Sequence, residues 1–542
     1  MRPFILTWAA ALFNLCASQE QTPLQSSSPN GTPLSDAFNH RVEWALKHYH
    51  VPGLAIAVVH NDKTFTQGYG LSDLTSTTPV TGNTLFFTGS TTKAHTAAAI
   101  SLLVDDDTNY PHTQWNTPVA DLIPGDFALS DPYSTTHVTL TDMLSHRSGL
   151  PRHDLVLIQN TTVQEIVRKL RHLPLTAEIR TEFQYCNLMY ITAGWMIEVV
   201  TGMKLPVFLK ERIWSPLGMN ETYMDLSPAF EDGRDVAQGY YYDAERDKTT
   251  STNRVYTASV HGAGNILSSV TDYAKWISAL LHQTGPISSA GYTALFGAHS
   301  IISGVVSAPF SAPDLYGFGW TLQNYKGRQL IQHGGAQVGF GAFVAMMPEE
   351  KFGLVVLGNE MAGMSMASLV LAFELIDWVL GVSEEERFDW EAAIDTQLQQ
   401  AKLTNKTMAA LYPTLEDVPI EALLPHPLNL SSYEGIYTHP AYPAMTVSAT
   451  CPDRNPRNNP EKWTGSRLCA TFGDFDSDPM GLMLDLFHIT GTYWTLVLGS
   501  WGMKDATRVE FQISPDGLVT EVGAELDVFM KAKGEKIWFG RG

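Results

Sequence analysis

The chain has 542 residues, of which 44% are hydrophobic, and its 35 basic and 56 acidic side chains give a formal net charge of −21. A chain of this length and composition can bury one large core and a smaller second one. Because the chain is acidic overall and contains no run of basic residues, we expect neither nucleic acid nor a membrane surface as a partner.

The first segment in chain order has the pattern of a secretory leader. Residues 1–18 begin Met1-Arg2-Pro3, continue through a short apolar run and reach small residues before Gln19. This pattern is typical of a signal peptide, and it is too short for a stable membrane anchor. Residues 19–35 are rich in Gln, Ser and Pro and predict a disordered leader. We therefore expect a secreted, extracellular protein.

A Ser-x-x-Lys motif at Ser90 and Lys93 opens the apolar run 94–103, which predicts a buried helix. Its spacing is close to one helical turn, so the hydroxyl and the ammonium group lie on one face. A lysine in a dry site can activate a serine without a histidine, and the N–H groups at a helix start stabilise negative charge. Taken alone, so short a motif also fits an ordinary capped helix with a surface lysine.

Two further motifs follow in the order that an active-serine enzyme uses. Tyr185-Cys186-Asn187 can present a phenol as proton acceptor and an amide as hydrogen-bond donor. His333-Gly334-Gly335 lets a strand edge approach a ligand, so that the N–H of Ala336 completes an oxyanion hole with that of Ser90. The alternatives are a core aromatic residue at Tyr185 and a strand-end histidine at His333.

The remaining elements up to residue 382 predict β-structure at both ends and helices between them. Residues 105–300 are mainly helical in pattern, with helices over 191–200 and 270–281. The apolar run 366–382 contains Glu374 and Asp377 and predicts a packed helix in preference to a membrane span. The predicted helix over 35–49 is followed by strands over 54–59, 64–66, 322–325, 341–347 and 353–357, the first two joined by a turn at Asn61-Asp62.

The last part of the chain predicts a linker and a small barrel. Residues 383–429 are charged and Gln-rich and predict a helical linker. Residues 430–542 contain short β-like runs separated by Gly, Asp and Pro, a pattern that indicates an antiparallel barrel that covers an active site or mediates oligomer assembly. These runs are 433–437, 445–449, 468–472, 482–489, 493–498, 509–513 and 519–522.

The cysteines and glycosylation motifs agree with secretion. Removal of Cys16 with the signal peptide leaves three cysteines, and an oxidising route favours a disulfide between Cys451 and Cys469, with Cys186 free and buried. Asn-x-Ser/Thr sequons are compatible with a eukaryotic secretory route and predict a glycoprotein. They lie at Asn30, Asn160, Asn220, Asn405 and Asn429.

With four supporting stretches, the three motifs resemble the serine β-lactamase-like superfamily, in its branch of class C β-lactamases, D-aminopeptidases and esterases. The resemblance covers residues 36–382 and implies an α+β, β-lactamase/transpeptidase-like fold. In such a fold an antiparallel sheet is flanked by helices, a helical lobe lies beside it, and the active site lies between the lobes. The C-terminal barrel is similar to the lipocalin-like domains of some relatives. The supporting stretches are 51–59, 144–151, 216–219 and 316–320.

The resemblance implies a role for each motif residue. Ser90 would be the acylated nucleophile, Lys93 its activator, Tyr185 the general base that later activates water, and Asn187 the holder of the substrate carbonyl. His333 stands where the family usually has a lysine followed by hydroxyl-bearing residues. A neutral imidazole is a poor carboxylate clamp, so this departure argues against β-lactam turnover.

Three other residues near the motifs also require an interpretation. His261 either lines the pocket or belongs to a glycine turn in which Ser268 or Ser269 caps the next helix. His146 marks a family loop, and we interpret it as structural. Cys186 beside the catalytic phenol is a second nucleophile only if a base lies near it, and no histidine is near it in sequence.

These observations together predict a secreted serine hydrolase or acyltransferase that acts through an acyl-enzyme on a small ester or amide, such as a secondary metabolite or a peptide. No cofactor is implied, and the lack of a metallo-β-lactamase histidine array gives no support for a metal enzyme of that kind. The lack of a Gly-x-Ser-x-Gly elbow counts against an α/β-hydrolase. One alternative is a true β-lactamase or D-peptidase. The other is a non-catalytic binding member of the superfamily.

Overall fold

The computed structural model describes residues 31–158, 161–244, 246–252, 258–405, 411–451, 463–473, 483–500 and 503–542. The predicted signal peptide, residues 19–30 of the leader and the sequons at Asn30 and Asn160 lie outside these ranges. The described residues form a nine-stranded sheet, helices that pack with it, and a closed eight-stranded barrel. The predicted α+β fold and the C-terminal barrel are confirmed.

Strands are numbered in chain order. Those that precede the barrel are β1 (Gly53–His60), β2 (Lys63–Asp73), β3 (Thr78–Pro79), β4 (Phe86–Phe87), β5 (Tyr240–Asp243), β6 (Lys248–Ser251), β7 (Leu267–Ser268), β8 (Ser300–Ser303), β9 (Asp314–Tyr316), β10 (Thr321–Tyr325), β11 (Arg328–Gln337), β12 (Phe340–Met347) and β13 (Phe352–Gly358). The large sheet has the order β3-β2-β1-β13-β12-β11-β10-β9-β8. Its described neighbours are antiparallel.

The two ends of the 36–382 stretch meet inside this sheet, as predicted. β1 pairs with β13, with Ala57 opposite Val355, and it pairs with β2 through the predicted hairpin. Every residue of β1 except the last is buried. A strand covered on both faces has a nearly continuous apolar sequence, which is the pattern that β1 shows.

The helices are also numbered in chain order. They are α1 (Asp36–His48), α2 (Thr92–Asp105), α3 (Val119–Leu122), α4 (Pro132–His137), α5 (Leu140–Leu144), α6 (Val163–Lys169), α7 (Asn187–Thr201), α8 (Leu205–Leu209), α9 (Leu226–Glu231), α10 (His261–Gly264), α11 (Val270–His282), α12 (Ser289–Phe296), α13 (Ala362–Leu380), α14 (Trp390–Asn405) and α15 (Val528–Lys533).

The region between β4 and β8 is mainly helical, as predicted, and α7 and α11 are the two helices expected there. The prediction missed β5, β6 and β7 in this region, where β5 pairs with β6 and β7 pairs with β4. Two-residue and four-residue strands carry too little alternation to be recognised in sequence. Strand β4 lies directly before the Ser90 motif in the chain and joins it to β7.

The predicted packed helix is α13, which begins at Ala362 and ends at Leu380, before Gly381 with a left-handed φ of 65°. By length and composition this helix is apolar enough to cross a membrane, but 72% of its most apolar 18-residue segment is buried inside the protein. Its side chains share a core with α1 and the sheet. The buried carboxylate of Asp377 accepts a hydrogen bond from the Tyr325 hydroxyl at 2.6 Å.

The barrel consists of β14 (Gly435–Thr438), β15 (Met445–Ser448), β16 (Arg467–Phe472), β17 (Met483–Thr490), β18 (Tyr493–Ser500), β19 (Met503–Ile513), β20 (Val519–Ala524) and β21 (Ile537–Arg541). The prediction missed β21, which closes the barrel by pairing with both β20 and β14. It also began the first strand too early, because Tyr433 lies in a 3-10 turn. The predicted disulfide between Cys451 and Cys469 is present.

Candidate active site

Ser90 and Lys93 lie at the junction of a 3-10 turn, Gly89–Thr91, with helix α2. Both residues are buried, with Ser90 5% exposed and Lys93 fully enclosed. The Lys93 Nζ atom lies 3.2 Å from the Ser90 Oγ atom. The helical turn predicted from the motif therefore brings the two reactive groups within hydrogen-bond distance.

Two oxygen acceptors hold the Lys93 amine from the other sides. Nζ donates to the Asn187 Oδ1 atom and to the Ala263 carbonyl, each at 2.8 Å. Burial, and secondarily the charge of Arg152, hold the pKa of Lys93 well below its ordinary value. A neutral amine has two hydrogens and one lone pair. In the neutral amine, hydrogens directed at these two oxygens would leave the lone pair for the Ser90 hydroxyl, 3.2 Å away.

Tyr185 and Asn187 lie on either side of the start of α7. The Lys93 Nζ atom is 4.8 Å from the centre of the buried Tyr185 ring. Burial raises the pKa of the phenol, whereas Ser90 and Arg152 lower it. The Tyr185 hydroxyl makes no hydrogen bond of normal geometry within the described part of the chain. It is thus a neutral, dry group beside the nucleophile.

Arg152 and Asp154, which the sequence prediction did not include, form an ion pair against these residues. Their side chains are 2.5 Å apart, and the Asp154 carboxylate accepts a hydrogen bond at 2.9 Å from Asn187 Nδ2. The Arg152 guanidinium lies 5.2 Å from the Tyr185 ring centre. The sequence signal that could have identified them is a pair of opposite charges shortly after the family-like stretch 144–151. The pair orients the Asn187 amide so that its oxygen faces Lys93.

His146 packs behind Tyr185, with ring centres 4.4 Å apart. Its Nδ1 atom accepts a hydrogen bond from the backbone N–H of Cys186 at 3.0 Å, and burial holds its pKa well below the ordinary value. The structural interpretation of His146 is therefore supported. Cys186 is the buried free cysteine that was predicted, and burial raises the pKa of its thiol to about 12. A thiol with this pKa is a poor nucleophile near neutral pH.

His333 is a neutral imidazole held on both nitrogens. Its Nδ1–H donates to the Gly334 carbonyl at 2.6 Å, and its Nε2 atom lies 3.1 Å from the Tyr316 hydroxyl, which donates to it. Burial and the nearby Lys93 lower the pKa of His333 to about 3. The position that would need a cation to bind a carboxylate therefore carries no charge at neutral pH.

The backbone of β11 approaches the Ser90 turn closely at two glycines. Gly89 has a left-handed φ of 52°, and a β-carbon on it would overlap the Ala336 nitrogen. A β-carbon on Gly335 would overlap the Thr88 carbonyl oxygen. Only glycines permit this distance. The backbone next to Ser90 and the backbone at Ala336 are thereby brought close together, and the pairing of their N–H groups as an oxyanion hole stays a prediction.

The segment around His261 supports the second of its two readings. Ser269 is the N-cap of α11, and its hydroxyl accepts from the Asp272 N–H at 3.2 Å. His261 itself lies 3.5 Å from the Asp225 carboxylate. The contribution of this segment to the site is the Ala263 carbonyl, which accepts from Lys93.

The barrel contacts the loop that carries Arg152 and Asp154. The His153 Nδ1 atom lies 2.7 Å from the Tyr442 hydroxyl, and the His153 N–H donates to the Asp527 carboxylate at 3.2 Å. The other ring nitrogen, Nε2, lies 3.0 Å from the Pro174 carbonyl and donates to it. Two barrel side chains therefore hold a catalytic-domain loop one residue away from the partners of Tyr185 and Asn187.

A cavity of about 980 Å³, including its open mouth, extends from the motif residues. At one end it is lined by Tyr185, Tyr316 and the stretch from His333 to Ala336. At the other end it passes beyond the edge of β11 to aromatic side chains near α13 and α14. The predicted substrate-binding residues His333, Gly335 and Ala336 all line it.

Comparison with known proteins agrees with this geometry. A family model described as Beta-lactamase matches residues 35–372. The "Unguisins hydrolase ungD'" of Aspergillus campestris (strain IBT 28561) is 35% identical over 522 residues, which cover 95% of this chain and 93% of that protein.

Two solved structures share the fold. The octameric penicillin-binding protein homologue from Pyrococcus abyssi has a TM-score of 0.55 at 21% identity and covers 90% of this chain and 98% of its own. A class C beta-lactamase has a TM-score of 0.52 at 20% identity, over 63% of this chain and 95% of its own. The chain belongs to the Beta-lactamase family and is a serine hydrolase.

Proposed function

We propose that the chain forms an acyl-enzyme on Ser90 and cleaves an ester or amide bond in a small natural product. The observation that carries this proposal is the environment of Lys93. Its Nζ atom lies 3.2 Å from Ser90 Oγ, and both of its other hydrogen bonds go to acceptors. A buried amine in this arrangement is a proton acceptor for the serine hydroxyl.

In the proposed acylation step, Ser90 Oγ attacks the carbonyl carbon of the substrate while its proton passes to Lys93 Nζ. The carbonyl π bond breaks, and the charge on the resulting oxyanion is stabilised by the N–H groups of Ser90 and Ala336. When the tetrahedral intermediate collapses, the bond to the leaving group breaks and that group takes a proton from Lys93, directly or through the Tyr185 hydroxyl. The acyl group stays on Ser90.

Deacylation reverses these transfers with water as the nucleophile. Water attacks the acyl carbon and loses a proton to the Tyr185–Lys93 pair, and the bond to Ser90 Oγ breaks as that proton returns to the serine. Burial opposes a phenolate at Tyr185, while Arg152 favours one. We therefore assign the base to the pair instead of to Tyr185 alone. An acceptor other than water would make the same chemistry an acyl transfer.

The substrate is proposed to be a small secondary metabolite or peptide without an essential carboxylate. The relative named unguisins hydrolase, which is 35% identical and aligns with 95% of this chain, supports hydrolysis of a compound related to unguisins. The neutral state of His333 supports a substrate without an essential carboxylate, because a β-lactam or a D-peptide carboxylate would lack a cation at that position. True β-lactamase or D-peptidase activity is therefore the weaker alternative.

Secretion is also part of the proposal. It is supported by the leader pattern in residues 1–18 and by the disulfide between Cys451 and Cys469, which an oxidising compartment favours. Of the predicted sequons, Asn220 and Asn429 are exposed and accessible to glycosylation. The barrel is proposed to act at the active-site cleft and not only in oligomer assembly. Its contacts with His153 support this role.

Mass spectrometry of the protein treated with a serine-directed fluorophosphonate tests the acyl-enzyme. We expect one adduct per chain, mapped by peptide digestion to Ser90, and none in Ser90→Ala. The Cys186→Ser variant is the matched control, and it should be labelled like the wild type. If the folded protein takes up no label, the non-catalytic binding alternative is favoured and the acyl-enzyme proposal is wrong.

A further inference from the structure

The cavity at the active site continues through a gap at the edge of the sheet. Strand β10 pairs with β11 only as far as Thr321 opposite Gln332. Beyond that point, in the described residues, β11 pairs with β12 and has no ladder partner on its other side. Gly334, which follows in β11, is exposed and has no side chain to close the gap. A β-carbon at Gly334 would meet nothing closer than 4.0 Å.

The inner end of this cavity is an aromatic pocket, which we define by Phe310, Phe343, Phe373 and Trp390. The ring centres of Phe373 and Trp390 are 4.2 Å apart, and that of Phe310 lies 6.1 Å and 6.3 Å from them. All four rings are less than 10% exposed, yet all four line the cavity. Trp390 opens helix α14 and lies outside the stretch matched by the family model.

Besides the apolar Leu369 and Ile302, several other side chains that line the cavity are polar but uncharged. They include the hydroxyls of Ser365 and Ser368 on α13 and the amides of Gln323 and Gln332 on the sheet. The Trp390 Nε1–H is buried and has no hydrogen-bond acceptor among the described residues. No Lys, Arg, Asp or Glu is among the residues that line the cavity. A carboxylate or ammonium group would therefore enter this pocket without a counter-charge.

We propose that the aromatic pocket binds a neutral aromatic or large aliphatic side chain of the substrate, next to the bond that Ser90 attacks. This inference rests on the proposed function, since the pocket shares one cavity with Tyr185 and with the stretch from His333 to Ala336. The rings supply apolar area for such a group, and the amides, hydroxyls and indole N–H supply hydrogen bonds for a neutral polar atom on it. The pocket would thus select substrates by a side chain that the reaction itself does not require.

The test compares substrates that differ in one group. Two series of esters are used, one varied in the acyl group and the other in the leaving alcohol, and each has a methyl, a phenylethyl and a carboxyethyl member. In at least one series, kcat/KM for the phenylethyl member should exceed that for the methyl member about 10- to 100-fold. The carboxyethyl member should be no better than the methyl member. Preference for the carboxylate would overturn the proposal.

A pocket-filling variant assigns this preference to the aromatic pocket. Ser365→Phe projects a ring from α13 into the cavity and should lower the ratio of kcat/KM between the phenylethyl and methyl members about 10-fold or more. Ala362→Phe, on an exposed position of the same helix, is the matched control and should leave this ratio unchanged. An unchanged ratio in Ser365→Phe, with a melting temperature like that of the wild type, would contradict the proposal.

Binding to Ser90→Ala separates this proposal from the proposed function. The amides of 3-phenylpropanoic acid and of succinic acid serve as probes in calorimetric titrations, and the phenyl amide should bind more tightly. If it binds while no ester is turned over, the pocket stands and the hydrolase proposal fails. If turnover depends on Ser90 but neither probe nor substrate shows the preference, the hydrolase proposal stands and the pocket assignment is wrong.

Discussion

The Asn187 Oδ1 atom accepts a hydrogen bond from Lys93 Nζ at 2.8 Å, which makes an uncharged amide the direct neighbour of the buried amine. The opposite end of the same amide donates to Asp154 at 2.9 Å. The amide therefore separates Lys93 from the nearest carboxylate. This separation favours a neutral lysine, because a carboxylate in contact with the amine would stabilise its charged form.

Replacing Asn187 by Asp tests this separation. A carboxylate next to Lys93 raises the pKa of the amine from its depressed value, so that less of it is neutral at any given pH. We expect kcat at neutral pH to fall about 10-fold or more, and the rising limb of the pH–rate profile to move to higher pH. Asn187→Ala is the control, since it removes the amide without adding charge. Equal pH profiles for the two variants would contradict the assigned role of Lys93.

The second prediction concerns the close approach of β11 to the Ser90 turn. Gly335→Ala places a methyl group against the Thr88 carbonyl, so the strand must move away from the nucleophile. We expect esterase kcat to fall about 100-fold, as when one oxyanion donor is lost, with a lower melting temperature. Gly334→Ala is the matched control for stability, because its methyl group meets open space. Wild-type kcat in Gly335→Ala would exclude Ala336 as an oxyanion donor.

The third prediction links the barrel to the active site. Tyr442→Phe removes the hydroxyl that lies 2.7 Å from His153 Nδ1, and this loosens the loop that carries the Arg152–Asp154 pair. We expect kcat to fall several-fold while KM changes little. Tyr437→Phe deletes a hydroxyl of the same kind, which donates to the Tyr433 carbonyl within the barrel at 2.7 Å, and should leave kcat unchanged. Equal kcat values for both variants and the wild type would rule out the coupling.

The fourth prediction concerns acid stability and the buried His95, which stacks on Trp276 at 4.4 Å. Burial lowers the pKa of His95 from 6.5 to about 3, so between these values the unfolded chain binds a proton that the folded chain does not. The free energy of unfolding must therefore decrease as the pH falls from 6.5 towards 3. His95→Phe should reduce this slope by about 1.4 kcal/mol per pH unit in urea titrations. An unchanged slope would show that His95 titrates normally in the folded state.

Most of the site was predictable because its residues lie in short motifs with fixed local geometry. Ser90 and Lys93 are one helical turn apart, and Ala336 follows the glycine pair Gly334-Gly335 at a strand edge, so the motifs indicate the local geometry. The roles of these residues were implied by the resemblance to the family. Arg152 and Asp154 were missed because their role depends on the contact with Asn187 in α7 and, through His153, on the barrel, and these partners are distant in sequence. The aromatic pocket was missed for the same reason. Its rings come from four separate segments, and each ring alone has the sequence pattern of a core residue.

The fold shows the same division between local and long-range information. The β1–β2 hairpin and α13 were predicted from turn residues and apolar runs. Strand β21 was missed because its residues alternate over only Ile537–Arg541, and its partners β14 and β20 determine its conformation. Strands this short depend on their neighbours more than on their own residues.

Turnover by the purified protein and its Ser90→Ala variant tests the central claim most directly. The substrates are a nitrophenyl ester, a D-amino-acid amide and a chromogenic cephalosporin. We predict that the wild type hydrolyses the ester or the amide faster than the cephalosporin, and that Ser90→Ala loses this activity while keeping its melting temperature. Equal rates in the two proteins would remove Ser90 as the nucleophile. Dominant, Ser90-dependent turnover of the cephalosporin would contradict the substrate assignment made from His333.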